Sequence, residues 1–126
     1  MGRRTSRLGW EGAWRAPRAR PTLPEQALYR ALERLRVAYQ PQRWIGPYCA
    51  DAWLPDRRAV IELDGDCYHR TAAARRRDRR KDRYYQALGL AVWRVRASVF
   101  LRDPLGWLRA RLDDGRPPVQ PPTAGG

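Results

Sequence analysis

The residues of this sequence best suited to chemistry are three acids, Asp51, Glu62 and Asp64. Glu62 and Asp64 are two apart in a run of strand-like alternation, Arg58–Asp64, so they share one face of a strand. Asp51 lies in the preceding run, Tyr48–Leu54, and the turn-forming Pro55-Asp56-Arg57 joins the two into an antiparallel hairpin. With the turn centred between Asp56 and Arg57, Asp51 faces Glu62 and Cys49 faces Asp64. Opposed side chains stand about 5 Å apart, and like charges there destabilise a sheet. A divalent cation bound by the carboxylates and water would turn that repulsion into coordination, and Mg²⁺, with Mn²⁺ as its substitute, suits such oxygen donors. Two alternatives stay open: a register one residue away, which moves Asp51 to the other face, and an ordinary solvated strand face with acids on it.

These acids need a scaffold, and the pattern around them predicts one domain over residues 22–112. A helix begins near Pro24, with Thr22 and Glu25 spaced as a capping box and Leu28, Ala31, Leu32 and Leu35 as its apolar stripe. Gln40-Pro41 is its expected end. Three strands follow, Gln42–Ile45, Tyr48–Leu54 and Arg58–Asp64, the last with Ala59, Ile61 and Leu63 turned inward. A second helix runs from Thr71, an N-cap, to Leu88, with Gly89 as its stop. The strand Leu90–Arg96 comes next, with Ala91, Trp93 and Val95 on one face. A strand, a crossover helix and a strand normally form a parallel unit. Asp103-Pro104 opens a last helix ending at Leu112. Residues 1–21 read as a flexible basic arm, in which Trp10 and Trp14 cover an apolar edge in preference to stacking on bases, and residues 113–126 as a disordered Pro/Gly-rich tail.

The formal net charge is +13, from 26 cations and 13 acids, which suits a polyanionic partner. Lys81 is the one lysine. Codon bias accounts for the preference for Arg over Lys but not for the two-to-one excess of cations. Residues 1–24 carry a balance of +5, residues 25–66 carry −1, and residues 67–126 carry +9. The second helix is dense in phosphate-binding candidates: Arg75, Arg76, Arg79, Arg80 and Arg83. Two cysteines are too few for a disulfide framework, and no signal-peptide pattern or membrane-length apolar run is visible, so a cytoplasmic protein without a membrane partner is expected.

The run Tyr48-Cys49-Ala50-Asp51-Ala52-Trp53-Leu54-Pro55, followed by Val60-Ile61-Glu62-Leu63-Asp64-Gly65-Asp66-Cys67-Tyr68-His69, resembles the very-short-patch-repair-like branch of the PD-(D/E)XK nuclease superfamily. Leu88–Val95 resembles the strand that follows the family's basic helix, and the likeness spans roughly Pro24 to Phe100. It implies an α/β, restriction-endonuclease-like fold, a mixed sheet of about four strands flanked by helices, and Mg²⁺-dependent hydrolysis of phosphodiester bonds in DNA, as in DNA repair. It further implies that Asp51 is the central metal ligand and that Glu62 and Asp64 ligate the metal or orient its water. Glu25 resembles the helix acid that reaches a metal-bound water, beside its alternative role in the capping box. His69 resembles the branch's histidine, placed to move a proton or steady the phosphate. The superfamily's usual lysine falls at position 64, where this chain has Asp64. Lys81 is the candidate replacement, because Asp78, Lys81, Asp82 and Tyr85 share a helix face; an arginine or His69 is the alternative. Cys49, Cys67 and His69 make an incomplete zinc set.

The expected activity is endonucleolytic, with no small-molecule cofactor. One set of acids per chain suits nicking, and a homodimer would permit double-strand cuts. Trp44, Trp53 and Tyr68 are candidates for stacking on bases, Trp53 being the one best explained as core. The competing reading is a non-catalytic nucleic-acid-binding module, an inactivated nuclease or an RNA-binding protein, which needs only the charge and the basic helix. A subunit that docks on an acidic protein is a third class, with nothing specific in its favour.

Overall fold

The computed structural model describes residues 15–16, 19–65 and 71–114. Tyr68, His69, Trp10, Trp14 and the tail after Asp114 lie outside the described residues.

Helix α1 (Leu23–Arg34) starts at the expected capping box: Glu25 N–H donates to Thr22 Oγ1 at 3.3 Å, and Thr22 N–H donates to Glu25 Oε1 at 2.9 Å. It ends well short of Pro41. Val37 N–H returns to the Leu32 carbonyl and Arg36 N–H to that of Glu33, with Arg36 left-handed at φ 60°. This is a Schellman stop built on arginine, so the usual glycine signal is missing. The chain then turns into β1 (Gln40–Ile45), reverses through Gly46-Pro47 with Gly46 at φ 60°, and returns as β2 (Tyr48–Leu54). A Cβ on Gly46 would meet the Tyr84 hydroxyl at 1.9 Å, so a larger residue there would have to displace the Tyr84 ring as well as take a left-handed φ.

A 3-10 turn (Pro55–Arg57) leads into β3 (Ala59–Asp64). Helix α2 (Ala72–Ala87) is capped by Thr71, whose Oγ1 accepts from Ala74 N–H at 3.0 Å, and stops at Gly89 as its sequence predicts. It crosses to β4 (Ala91–Arg96), which runs parallel to β3. A short helix that the sequence pattern does not indicate, α3 (Ala97–Phe100), precedes α4 (Pro104–Asp114). Asp103 caps α4 by accepting from Gly106 N–H. Residues 113 and 114, expected in a disordered tail, are its last turn.

The sheet order is β1-β2-β3-β4, antiparallel except for the β3–β4 pair. Both of its faces are covered. Leu28, Ala31 and Leu32 of α1, Phe100 of α3 and Leu108 of α4 bury Ala52, Leu54, Ala59 and Ile61 on one side. Tyr85 of α2 packs with Ile45, Trp53, Val60 and Leu90 on the other. Each large buried apolar side chain contributes about 1.5–3 kcal/mol, against about 1 kcal/mol for a helix cap. Packing on the sheet therefore decides where the helices lie, and capping decides only where they begin.

Candidate active site

Neither antiparallel ladder runs through Asp51. The β1–β2 register pairs Pro41 with Ala52 and Arg43 with Ala50, passing over Gln42 and Asp51. The β2–β3 ladder runs from the Leu54–Ala59 pair to Ala52–Ile61 and stops there. Continued one step, that register sets Asp51 opposite Glu62, as the sequence arithmetic predicts. Side chains serve the main chain where the strands part. Leu63 N–H donates to Asp51 Oδ2 at 2.6 Å, and the Tyr29 hydroxyl donates to the Asp51 carbonyl oxygen at 2.6 Å. A charged acceptor makes the first of these bonds strong and fixes the carboxylate in place.

Glu62 points into α2. Its Oε1 accepts from Lys81 Nζ at 3.2 Å and its Oε2 from the Tyr85 hydroxyl at 3.0 Å. Burial pushes the Glu62 carboxyl above its usual range, against the pull of Lys81 and Arg94. Burial and the Glu62 charge also push the Tyr85 phenol upward, which keeps it a donor, and the Asp51 charge adds to that effect.

Asp64 turns to β4 instead. Arg94 Nη1 donates to its two oxygens at 2.9 and 3.1 Å. Arg94, beside Glu62 in the parallel ladder, also bonds Asp82 and lies 3.8 Å from Asp78 on α2. Burial opposes the Arg94 charge, but the bond to Asp82 and the charge of Asp64 outweigh it and raise its pKa. The helix face Asp78, Lys81, Asp82 and Tyr85, expected from i, i+3, i+4, i+7 spacing, is thus the face that meets Glu62 and Arg94. The network joins four carboxylates to two cations on an otherwise basic protein.

One alternative is set aside and one expectation is corrected. Asp51 and Glu62 are only 4% and 3% exposed, so they do not belong to a solvated strand face. The three acids do not gather into one patch either. Among the described residues no three His, Cys, Asp or Glu side chains form a group able to hold a metal, because Lys81 and Arg94 draw Glu62 and Asp64 to separate partners.

Glu25 is also buried. Besides its capping bond, its Oε1 accepts from Gln42 Nε2 at 3.2 Å. Glu25, Gln42, Asp51, Leu63 and Gly65 line a cleft of about 470 Å³. Its walls are the first turn of α1, the Asp51 break and the carboxyl ends of β3 and β4. Glu25 and Asp51, remote in sequence, therefore share one opening. On the other side of the sheet, Arg75, Arg76, Arg79, Arg80 and Arg83 are all exposed along α2, while the same helix turns Lys81 inward.

Mg²⁺ is usually held by one or two carboxylates together with waters and substrate phosphate oxygens. Asp51 and Glu62 are the hard-oxygen donors nearest the break in the sheet that could serve such an ion; both are buried, and Glu62 would have to share its oxygens with Lys81 and Tyr85.

Sequence reasoning gives no site role to Arg94, Gln42 or Tyr85. Arg94 carries a signal, a cation set between the apolar Trp93 and Val95 within the strand. Tyr85 carries the helix spacing. Gln42 carries only a register signal: a turn at Gly46-Pro47 sets it opposite Asp51, but nothing in the sequence ties it to Glu25.

The family profile REase_MTES_1575, of restriction-endonuclease-like proteins, matches residues 25–112. Among solved structures, the catalytic domain of homing endonuclease I-Bth0305I is similar at a TM-score of 0.58 and 16% identity, over 71% of this chain and 91% of that one. That likeness is one of fold. No curated protein matches the chain.

Proposed function

Because this chain belongs to the restriction-endonuclease-like family REase_MTES_1575, we propose that it is a divalent-metal-dependent endodeoxyribonuclease that nicks DNA. The observation that carries the proposal is the 3.2 Å contact between Lys81 Nζ and Glu62 Oε1. It supplies from α2 the ammonium that the motif lacks at position 64.

Asp51 and Glu62 are the proposed metal ligands. A bound divalent ion would lower the pKa of a water and neutralise phosphate charge. The chain's own groups do the rest. Lys81 stabilises negative charge developing on the phosphate. Glu25, across the cleft from Asp51, orients the attacking water. Asp64 holds Arg94, which balances charge behind Glu62. Arg75, Arg76, Arg79, Arg80 and Arg83 bind flanking phosphates without regard to sequence. His69 and Tyr68, on the motif's likeness to the very-short-patch-repair-like branch, are assigned proton transfer and base stacking. That likeness favours a repair-type substrate. Two copies would be needed for a double-strand cut.

A second reading has one observation in its favour. Both Glu62 oxygens already have protein donors, as an inactivated, DNA-binding relative would show. Supercoiled plasmid incubated with the purified protein and Mg²⁺, or with EDTA, separates the two. Relaxed circles that depend on Mg²⁺ support the nuclease; a shifted but uncut plasmid supports the binder.

A further inference from the structure

Among the described residues, Arg36, Gln42 and Arg58 have positive φ without being glycine. Arg36 ends α1 and Arg58 follows the 3-10 turn, so both serve a change of chain direction. Gln42, at φ 45°, lies inside β1, where a left-handed residue is disfavoured and no turn asks for it. Such strain persists only where the surroundings fix it, and it concentrates at functional sites.

The surroundings of Gln42 are specific. It is 4% exposed and stands across from Asp51 at the position the ladder skips. Its amide is used at both ends: Nε2 donates to Glu25 Oε1 at 3.2 Å, and Oε1 accepts from Ala19 N–H at 3.3 Å. The segment before α1 is held along β1 by further contacts. The Arg15 guanidinium lies 3.7 Å from the centre of the Trp44 ring, and Trp44 Nε1 donates to the Ala16 carbonyl at 2.8 Å. Arg15 also reaches the Gly46 carbonyl. These described residues are therefore docked, where the sequence suggests a flexible arm, and Ala19 and Arg20 form part of the cleft wall.

We propose that Gln42 is a positioning residue that fixes the Glu25 carboxylate in the cleft shared with Asp51 and seats Ala19 and Arg20 as the wall of that cleft. Its left-handed backbone turns the amide toward both partners at once. What Glu25 then does rests on the nuclease reading; the seating of the wall does not.

The test uses the full chain with Gln42→Gly, which removes the amide and relaxes the backbone. The variant should melt no lower than wild type. Trypsin should cut the Arg18–Ala19 bond at least about fivefold faster, followed by mass spectrometry, because the Ala19 tether is gone. With Mg²⁺ and supercoiled plasmid, kcat should fall about tenfold while KM changes less than about twofold, the pattern of a group that acts after binding. Gln42→Leu, which keeps the bulk, should give the same two changes and guards against a folding defect in the first variant. A folded variant cut at Arg18–Ala19 at the wild-type rate, or one with wild-type kcat, overturns the proposal. A wild-type protein that leaves plasmid intact would sink the nuclease reading alone, and the trypsin rate would still decide the role of Gln42.

Discussion

Asp64 and Arg94 form a two-point pair, with Nη1 of the arginine 2.9 and 3.1 Å from the two carboxylate oxygens, and the same guanidinium bonds Asp82 of α2. One side chain thereby ties β3, β4 and α2 together beneath Glu62. Replacing Arg94 with leucine leaves Asp64, Asp78 and Asp82 without their common cation. Breaking a buried pair costs about 3–5 kcal/mol, and partial exposure of these acids lowers the expectation to about 2–4 kcal/mol. Urea unfolding should show the loss as an earlier midpoint. A variant as stable as wild type would mean that the acids find other partners.

Lys81 should matter for rate more than for folding, since its stem is partly exposed and its ammonium can return to water. Lys81→Ala is expected to lower plasmid nicking by about 10²-fold or more, the usual cost of losing one preorganised charge. Lys81→Arg should retain part of the activity. Gel-shift affinity should change little in both, and equal nicking by Lys81→Ala would remove the residue from the mechanism.

The raised Glu62 pKa has a definite sign. Unfolded, this carboxyl titrates near its ordinary value of 4.5, and folded it holds its proton to higher pH because it is buried. The stability associated with the protonated form is thus fully present below about pH 4.5 and is lost as pH rises through the folded value. Glu62→Gln does not titrate. The melting temperature of wild type minus that of Glu62→Gln should therefore decline as pH rises above about 4.5 and then level off. A difference that grows with pH would show that Lys81 and Arg94 outweigh burial.

The exposed arginines of α2 should govern salt dependence. Arg79→Gln combined with Arg80→Gln is predicted to weaken DNA binding uniformly across sequences. The slope of log K against log salt should flatten by about one for each arginine–phosphate interaction removed. An unchanged slope would place the DNA on another surface.

Much of this arrangement is legible in the chain because short-range rules produce it. The β2–β3 register follows from a short turn and strict alternation, and the Lys81–Tyr85 face follows from helical spacing. Thr22 and Thr71 announce their helices by capping chemistry. The end of α1 is not legible, since an arginine fills the left-handed position that glycine usually marks. The partner of each acid is not legible either. Arg94 reaches Asp64 and Asp82 only through a parallel crossover, and Gln42 reaches Glu25 only because β1 bends at the break opposite Asp51. Both contacts depend on tertiary placement, which alternation and spacing do not encode.

On the proposed nuclease reading, Asp51, seated where both ladders lapse, serves hydrolysis and not merely the fold. Asp51→Asn keeps an oxygen for the Leu63 amide and removes the charge, so the fold should survive. The decisive measurement compares Mg²⁺-dependent nicking and DNA affinity of this variant with those of wild type in one preparation. Nicking should fall by at least about 10²-fold with affinity retained. Undiminished nicking by a folded Asp51→Asn protein would contradict that reading.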